Sequence, residues 1–408
     1  MPDARRVLRR SALAAGAVIS SLALVGCGQQ AGPAAQDPPS SPTPSRTEVG
    51  GTRLGVSYAG GVMVLDAGTL ELVGDLPRDG FLRLNPAGDE RHLMVSAGDA
   101  FEVLDTGVEV RAHGDHVHYY GGPPALTGAS YPAPEAGHVV VHAGTTALFS
   151  DGAGTVQLVD SDAVASGEPE RTWTAEHPHH GVAVPLDDGN LLVSVGTADA
   201  RTGAQVVDPA GTVTDSDASC PGVHGEATAA DATVIGCTDG VLVHDEDGFT
   251  KIDSPDDYGR IGNQAGSPES AVVLGDYKVD EDAELERPER VSLVDTEGKE
   301  LQLVDLGTSY SFRSLGRGPE GEALVLGTDG ALHVVDPGSG EVTRRTPVVE
   351  AWSEPLDWQQ PRPTLHVDGI LAYVTEPATS ELHVVDVTSG KTLQSVTLPH
   401  VPNELTGV

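Results

Sequence analysis

Three histidines fall within six residues of the segment RAHGDHVHYYGG, at His113, His116 and His118, in a chain with 15 in all. Neutral imidazole is a ligand for zinc, and also for copper and nickel. A tetrahedral zinc takes about four donors at ~2.0–2.1 Å, so this cluster becomes a site only if the fold brings further ligands to it. Two other segments can supply them: HPHHGVAV, with His177, His179 and His180, and GVHGEAT, with His224. His180 and His224 share the pattern His-Gly-x-Ala. His116 and His118, two apart, point the same way in an extended chain. The expected metal set is therefore His116, His118, His180 and His224. Asp115 or Glu226, close in sequence, would supply a carboxylate if one completes the set. His113, His177 and His179 would flank the site as a weaker point of entry.

The elements that must position these residues are written in a repeated phrase, an apolar strand ending in Asp followed by a turn and another strand. It recurs eight times, with the aspartates at Asp66, Asp105, Asp160, Asp208, Asp245, Asp295, Asp336 and Asp386. Their spacing, 37 to 55 residues, is that of a propeller blade. Asp favours such turns by accepting a hydrogen bond from backbone two residues on. Each phrase follows a strand such as RHLMVS, NLLVSVG or EALVLG. Helical periodicity is scarce, and 50 Gly with 29 Pro suit strands and turns. The chain reads as all-β, an eight-bladed β-propeller over residues 51–408, with seven blades as the alternative. The C-terminal VTLPHVPNELTGV is expected to return and complete the first blade, which removes a free sheet edge.

In a propeller the strand before each RHLMVS-like strand is the innermost. His180 and His224 stand just ahead of two such strands, in successive blades, so they are expected as neighbours at the channel mouth. Their glycines allow close backbone approach. The segment at 111–122 and the long stretch after it are expected to fold over the same mouth. Tyr119 and Tyr120 are expected to pack at its base. His92, His138, His142, His244, His333, His366, His383 and His400 are scattered on strands and read as structural.

The first 26 residues carry a basic stretch, an apolar run and then Leu24-Val25-Gly26-Cys27, the pattern of a lipoprotein signal with Cys27 as the lipidated residue. Residues 27–50, rich in Pro, Ser, Ala and Gln, read as a flexible tether. The product would be exported and lipid-anchored on the outer face of the cytoplasmic membrane. The net charge of −37 speaks against nucleic acid and against an anionic bilayer as binding surfaces. Cys220 and Cys237 remain, and in an oxidising compartment a disulfide is the default reading, with a thiolate metal pair as the alternative.

The segments HGDHVHYYG, HPHHG and VHGEA on an exported propeller resemble the AztD-type zinc metallochaperones, which work beside zinc ABC transporters. That resemblance implies zinc binding and transfer to the transporter's solute-binding protein, by a monomer that is not an enzyme. Residues 28–50 hold no histidine, unlike the acidic, histidine-rich tail that members of this family can carry. Two other functions compete. One is a metal-dependent hydrolase or lactonase, with Glu226 as its candidate base; the chain has no GxSxG or HExxH. The other is a propeller scaffold that binds only proteins.

Overall fold

The computed structural model describes residues 47–49, 51–114 and 116–408. The expected signal, Cys27 and most of the tether lie outside these residues, as does Asp115. Residues 45–408 form one compact unit. Among the described residues no helix is long and apolar enough to cross a membrane.

Eight sheets, each a four-stranded antiparallel meander, follow one another along the chain as the blades of a propeller; the fifth also carries the short strand Gly259–Arg260, paired in parallel. Blade 1 is closed by the C-terminus: Leu405–Gly407 pairs with Leu54–Val56 of the strand Arg53–Tyr58. The phrases that repeat in the sequence supply the third strand of each blade, such as Gly61–Asp66, Thr155–Asp160 and Glu381–Asp386. At seven of the eight aspartates the carboxylate accepts from the N–H two residues on, as at Asp105 to Gly107 (2.8 Å) and Asp386 to Thr388 (2.9 Å). Asp336 instead caps Ser339 N, three residues on, at 2.7 Å.

Middle strands are apolar along their length because a blade is covered on both faces. GVMVLD and HLMVSA are buried throughout, while the outer strand KTLQSVT is almost wholly exposed. The core is accordingly eight separate cores, one in each interface between neighbouring blades. Between blades 3 and 4, for example, Phe149 and Val156 pack on Ala183 and Val193.

Antiparallel alternation fixes which residues reach which side. Innermost strands begin on what we call the upper face, which also holds the turns between second and third strands. Innermost strands end on the lower face, and so do the third strands with their aspartates. The segment RAHGDHVHYYGG is not a loop over the mouth. It is a hairpin, Val108–His113 with His116–Gly121, inserted after the third strand of blade 2 (Ala100–Asp105). It therefore emerges on the lower face. There Val110 and Tyr119 line a cleft with Thr52, Glu90, Asp368 and Gly407, all at lower-face strand ends. Thr47–Val49, read as the end of the tether, is a third strand of this sheet and pairs with Tyr119–Gly121.

Candidate metal centre

Three blades contribute one histidine each to a cluster on the upper face. His138 lies on the innermost strand of blade 3 (Ala136–His142). His180 and His224 precede the innermost strands of blade 4 (Ala183–Pro185) and blade 5 (Glu226–Ala229). One donor atom from each of the three lies within 4.8 Å of the others. Ring centroids are 5.1 Å apart for His180 and His224, 5.2 Å for His138 and His180, and 6.0 Å for His138 and His224.

Each ring has an acceptor beside Nδ1, hydrogen-bonded to it in His180 and His224 and at ion-pair distance in His138. His180 Nδ1 is 2.5 Å from Asp151 Oδ2, in the second-to-third turn of blade 3. His224 Nδ1 is 2.6 Å from the carbonyl oxygen of Gly262. His138 Nδ1 is 3.2 Å from Glu226 Oε2. An acceptor on Nδ1 fixes the tautomer and leaves Nε2 as the basic atom, which is how zinc-bound histidines are commonly oriented. With one donor atom from each already within 4.8 Å of the others, the three imidazoles can converge on one zinc at ~2.0–2.1 Å. The donor set thus fits a zinc ion with three imidazoles and one open position.

The electrostatics divide the three. Burial is the largest influence on His138 and favours the neutral ring, but Glu226, aided by Asp151, outweighs it and raises the pKa above the ordinary histidine value. Burial, then His138 and Arg260, hold His224 well below that value. The neutral, ligating form is therefore favoured at His224, whereas at His138 a metal ion would compete with a more firmly held proton.

The His-Gly pairs are needed sterically. A Cβ on Gly181 would lie 2.4 Å from the Phe149 ring. Gly225 has φ +73°, and a Cβ there would lie 2.3 Å from Gly262 O, the atom that holds His224. Cys220 and Cys237 form a disulfide within the core between blades 4 and 5. It ties the loop carrying His224 to the second strand of blade 5. We expect Cys220→Ser with Cys237→Ser to cost about 3 kcal/mol and also to weaken zinc binding. Urea unfolding and a chelator titration check both, and unchanged zinc affinity would show that the loop holds its own shape.

The four histidines expected to share one site are thus divided between two faces. His180 and His224 are in the upper cluster. His116 and His118 are in a second cluster with His113 on the lower-face hairpin, again with donor atoms within 4.8 Å. Cross-strand pairing sets His113 opposite His116, and His118, two further on, shares their side. His116 Nε2 and His118 Nε2 are 3.1 Å apart. His177 and His179 are in neither cluster. His177 is exposed beside Glu176. His179 is buried, with Nε2 2.9 Å from Ser194 Oγ and Nδ1 2.8 Å from His177 O. Glu226 and Asp151 act behind the histidines, against ring nitrogens.

His138, read as structural, is the member that sequence reasoning missed. Others so read are engaged by their own or a neighbouring blade. Examples are His92 with Asp89, His142 with Pro185 O and His333 with Asp329. His366 is buried against Tyr373, and burial pushes its pKa down to about 4. A third group, Glu376, Glu381 and His383, is saturated from within: His383 meets Ser395 Oγ at 2.8 Å and Glu376 Oε2 at 3.2 Å.

No family model matches the chain. The zinc chaperone AztD of Citrobacter koseri is 29% identical over 325 residues, which cover 77% of this chain and 75% of that protein. The crystal structure of Citrobacter koseri AztD superposes with a TM-score of 0.76 at 26% identity, over 87% of this chain and 97% of that one. Its apo structure, with the same identity and coverage, gives 0.75. The dihydro-heme d1 dehydrogenase NirN, 13% identical with a TM-score of 0.55, shares the fold alone. Sequence and backbone together relate this chain to the AztD-type zinc chaperones.

Proposed function

We propose that the protein is an extracytoplasmic zinc metallochaperone, anchored through Cys27, that binds zinc with His138, His180 and His224. It would pass the ion to the solute-binding protein of a zinc ABC transporter. The observation that carries this reading is the set of three imidazoles whose donor atoms converge within 4.8 Å, each with an acceptor beside Nδ1, which would leave a tetrahedral ion one position for an incoming ligand. An open position lets an incoming ligand bind before a resident one leaves, so the ion moves by exchange and is never released to water. The hairpin histidines His113, His116 and His118 form a second, solvent-facing binding group on the opposite side.

Titration of the metal-free mature protein with zinc against a competing chelator tests the reading. One tight site per chain, with a weaker one lost on replacing His116 and His118, supports it. No binding tighter than micromolar overturns it and leaves the protein-binding scaffold as the better account. Parallel titrations with copper and nickel establish the preferred metal, since imidazole takes all three. Transfer is tested by mixing zinc-loaded protein with the zinc-free solute-binding protein of the same organism and following the metal.

The pH dependence follows from His138. Its proton competes with zinc, and its pKa is raised. Affinity is therefore expected to be full above that pKa and to fall by about tenfold per pH unit below it. The fall should begin above the ordinary histidine value of ~6.5. Chelator titrations from about pH 5.5 to 8 check this. A profile flat down to about pH 6 would mean that Glu226 does not hold the proton on His138.

A further inference from the structure

In this acidic chain the arginines are paired almost without exception. Arg53 meets Asp66, Arg78 meets Glu102, Arg91 meets Asp105 and Arg362 meets Glu354. Others donate to backbone carbonyls, as Arg317 does to Val272 O and Arg345 to Leu306 O. Among the described arginines, only Arg201 and Arg260 have side chains with no hydrogen bond, ion pair or aromatic partner. Both flank the three-histidine centre. Arg201 lines an upper-face cleft of about 460 Å³ together with His180. Arg260 lies over Gly262, where a Cβ would stand 3.0 Å from its Cζ. Gly262 is the residue whose carbonyl holds His224. Burial first, and then the field of Arg260, disfavour the charge on Arg201, with Asp151 opposing them.

Two unpaired cations beside a site for a divalent cation are a cost unless something negative joins them. Of the acidic groups nearby, Asp151 and Glu226 are turned to histidine nitrogens and Asp276 to the N–H of Gly262, while Asp199 lines the cleft without an ion pair to either arginine. With zinc present the centre would carry an uncompensated positive charge and an open coordination position. A guanidinium presents a planar fork that matches a carboxylate and remains charged at any ordinary pH.

We propose that Arg201 and Arg260 form a carboxylate-binding site that places an anionic oxygen on the open position of a metal ion held by His138, His180 and His224. The proposal rests on the zinc-binding reading above. The carboxylate belongs to an Asp or Glu side chain of the receiving protein, so that the guanidiniums draw in the first incoming ligand of the exchange. A free small carboxylate has the same chemistry and is the other source. Linkage requires carboxylate and metal to raise each other's affinity by one common factor.

Cobalt(II) is the probe, because its visible absorption bands report its ligands. Cobalt-loaded protein is titrated with acetate. A saturable band shift is expected, with cobalt affinity rising about tenfold at saturation, a coupling of about 1.4 kcal/mol. The double variant Arg201→Gln/Arg260→Gln should lose both responses. It should also bind cobalt at least as tightly as the parent in acetate-free buffer, because two repelling charges are gone. Bands that ignore acetate, or a response undiminished in the double variant, overturn this proposal alone. A parent protein that takes up no cobalt overturns the three-histidine centre and this site with it. Zinc transfer to a zinc-free solute-binding protein then separates the sources. Saturating acetate should slow transfer by occupying the entry point, whereas an unchanged rate assigns the site to a free carboxylate and overturns the assignment to the receiving protein.

Discussion

Replacing His224 with alanine is expected to weaken tight zinc binding by about 100-fold or more, because loss of an outer-shell partner alone commonly costs about 10–100-fold. In the proposed centre His224 is a direct donor, and burial holds it well below the ordinary histidine pKa, which favours the neutral ring. His138→Ala and His180→Ala should act alike, since the three supply the whole donor set of the centre. His116→Ala should change the tight affinity by less than about twofold, because its hairpin lies on the opposite face. Chelator-competition titrations of the four variants decide the matter. Loss of tight binding in His116→Ala would mean that the hairpin contributes to the upper centre, and the two-site arrangement would fall. Full affinity in His224→Ala would remove the upper centre itself.

This division between faces marks where the sequence stopped being informative. The blade count was legible because each third strand ends in an aspartate that must turn the chain, and eight aspartates make eight turns. The closeness of His180 and His224 was legible too. Both precede an innermost strand, and both need a following glycine, since Phe149 and Gly262 O occupy the space a side chain would take. The side on which RAHGDHVHYYGG emerges depends instead on strand parity. It follows the third strand of blade 2, so it leaves from the lower face, and it pairs with itself rather than crossing to the mouth. His138 was hidden for a different reason. GHVVVH is an ordinary strand with a histidine near each end. Only the fold shows that His138 is at the mouth, while His142 is at the other end against Pro185 O. Asp151, in a plain DGAG turn, gave no signal at all. Arg201 and Arg260 are likewise unremarkable as letters, and become informative only when the other arginines are seen to be paired.

Glu404→Ala is expected to destabilise the propeller by about 3–5 kcal/mol, the usual result of removing one partner from a buried ion pair. Glu404 and Arg313 are 6% and 8% exposed, and Nη2 of Arg313 is 2.8 Å from Glu404 Oε1. Burial already pushes the Arg313 guanidinium down to about 10 against the opposing pull of Glu404. Without Glu404 the charge would be left with the Asn403 side chain and carbonyl. The carboxylate also accepts from Leu84 N at 3.1 Å, so one side chain joins blades 1, 2 and 7 where the ring closes. The exposed pair Arg78–Glu102 is the control. Its closest approach is the same, 2.8 Å, and it is hydrogen-bonded at two points, but its side chains are 35% and 23% exposed. Glu102→Ala should therefore cost about 0–1 kcal/mol. In thermal unfolding the first variant should lose roughly 6–10 °C and the second no more than about 2 °C. Glu404→Ala combined with Arg313→Met should regain part of the loss, since the stranded charge leaves with its partner. Equal melting temperatures for Glu404→Ala and the parent would show that water reaches Arg313 through the channel, and that closure of the ring rests on the strand Leu405–Gly407 and its hydrophobic contacts instead.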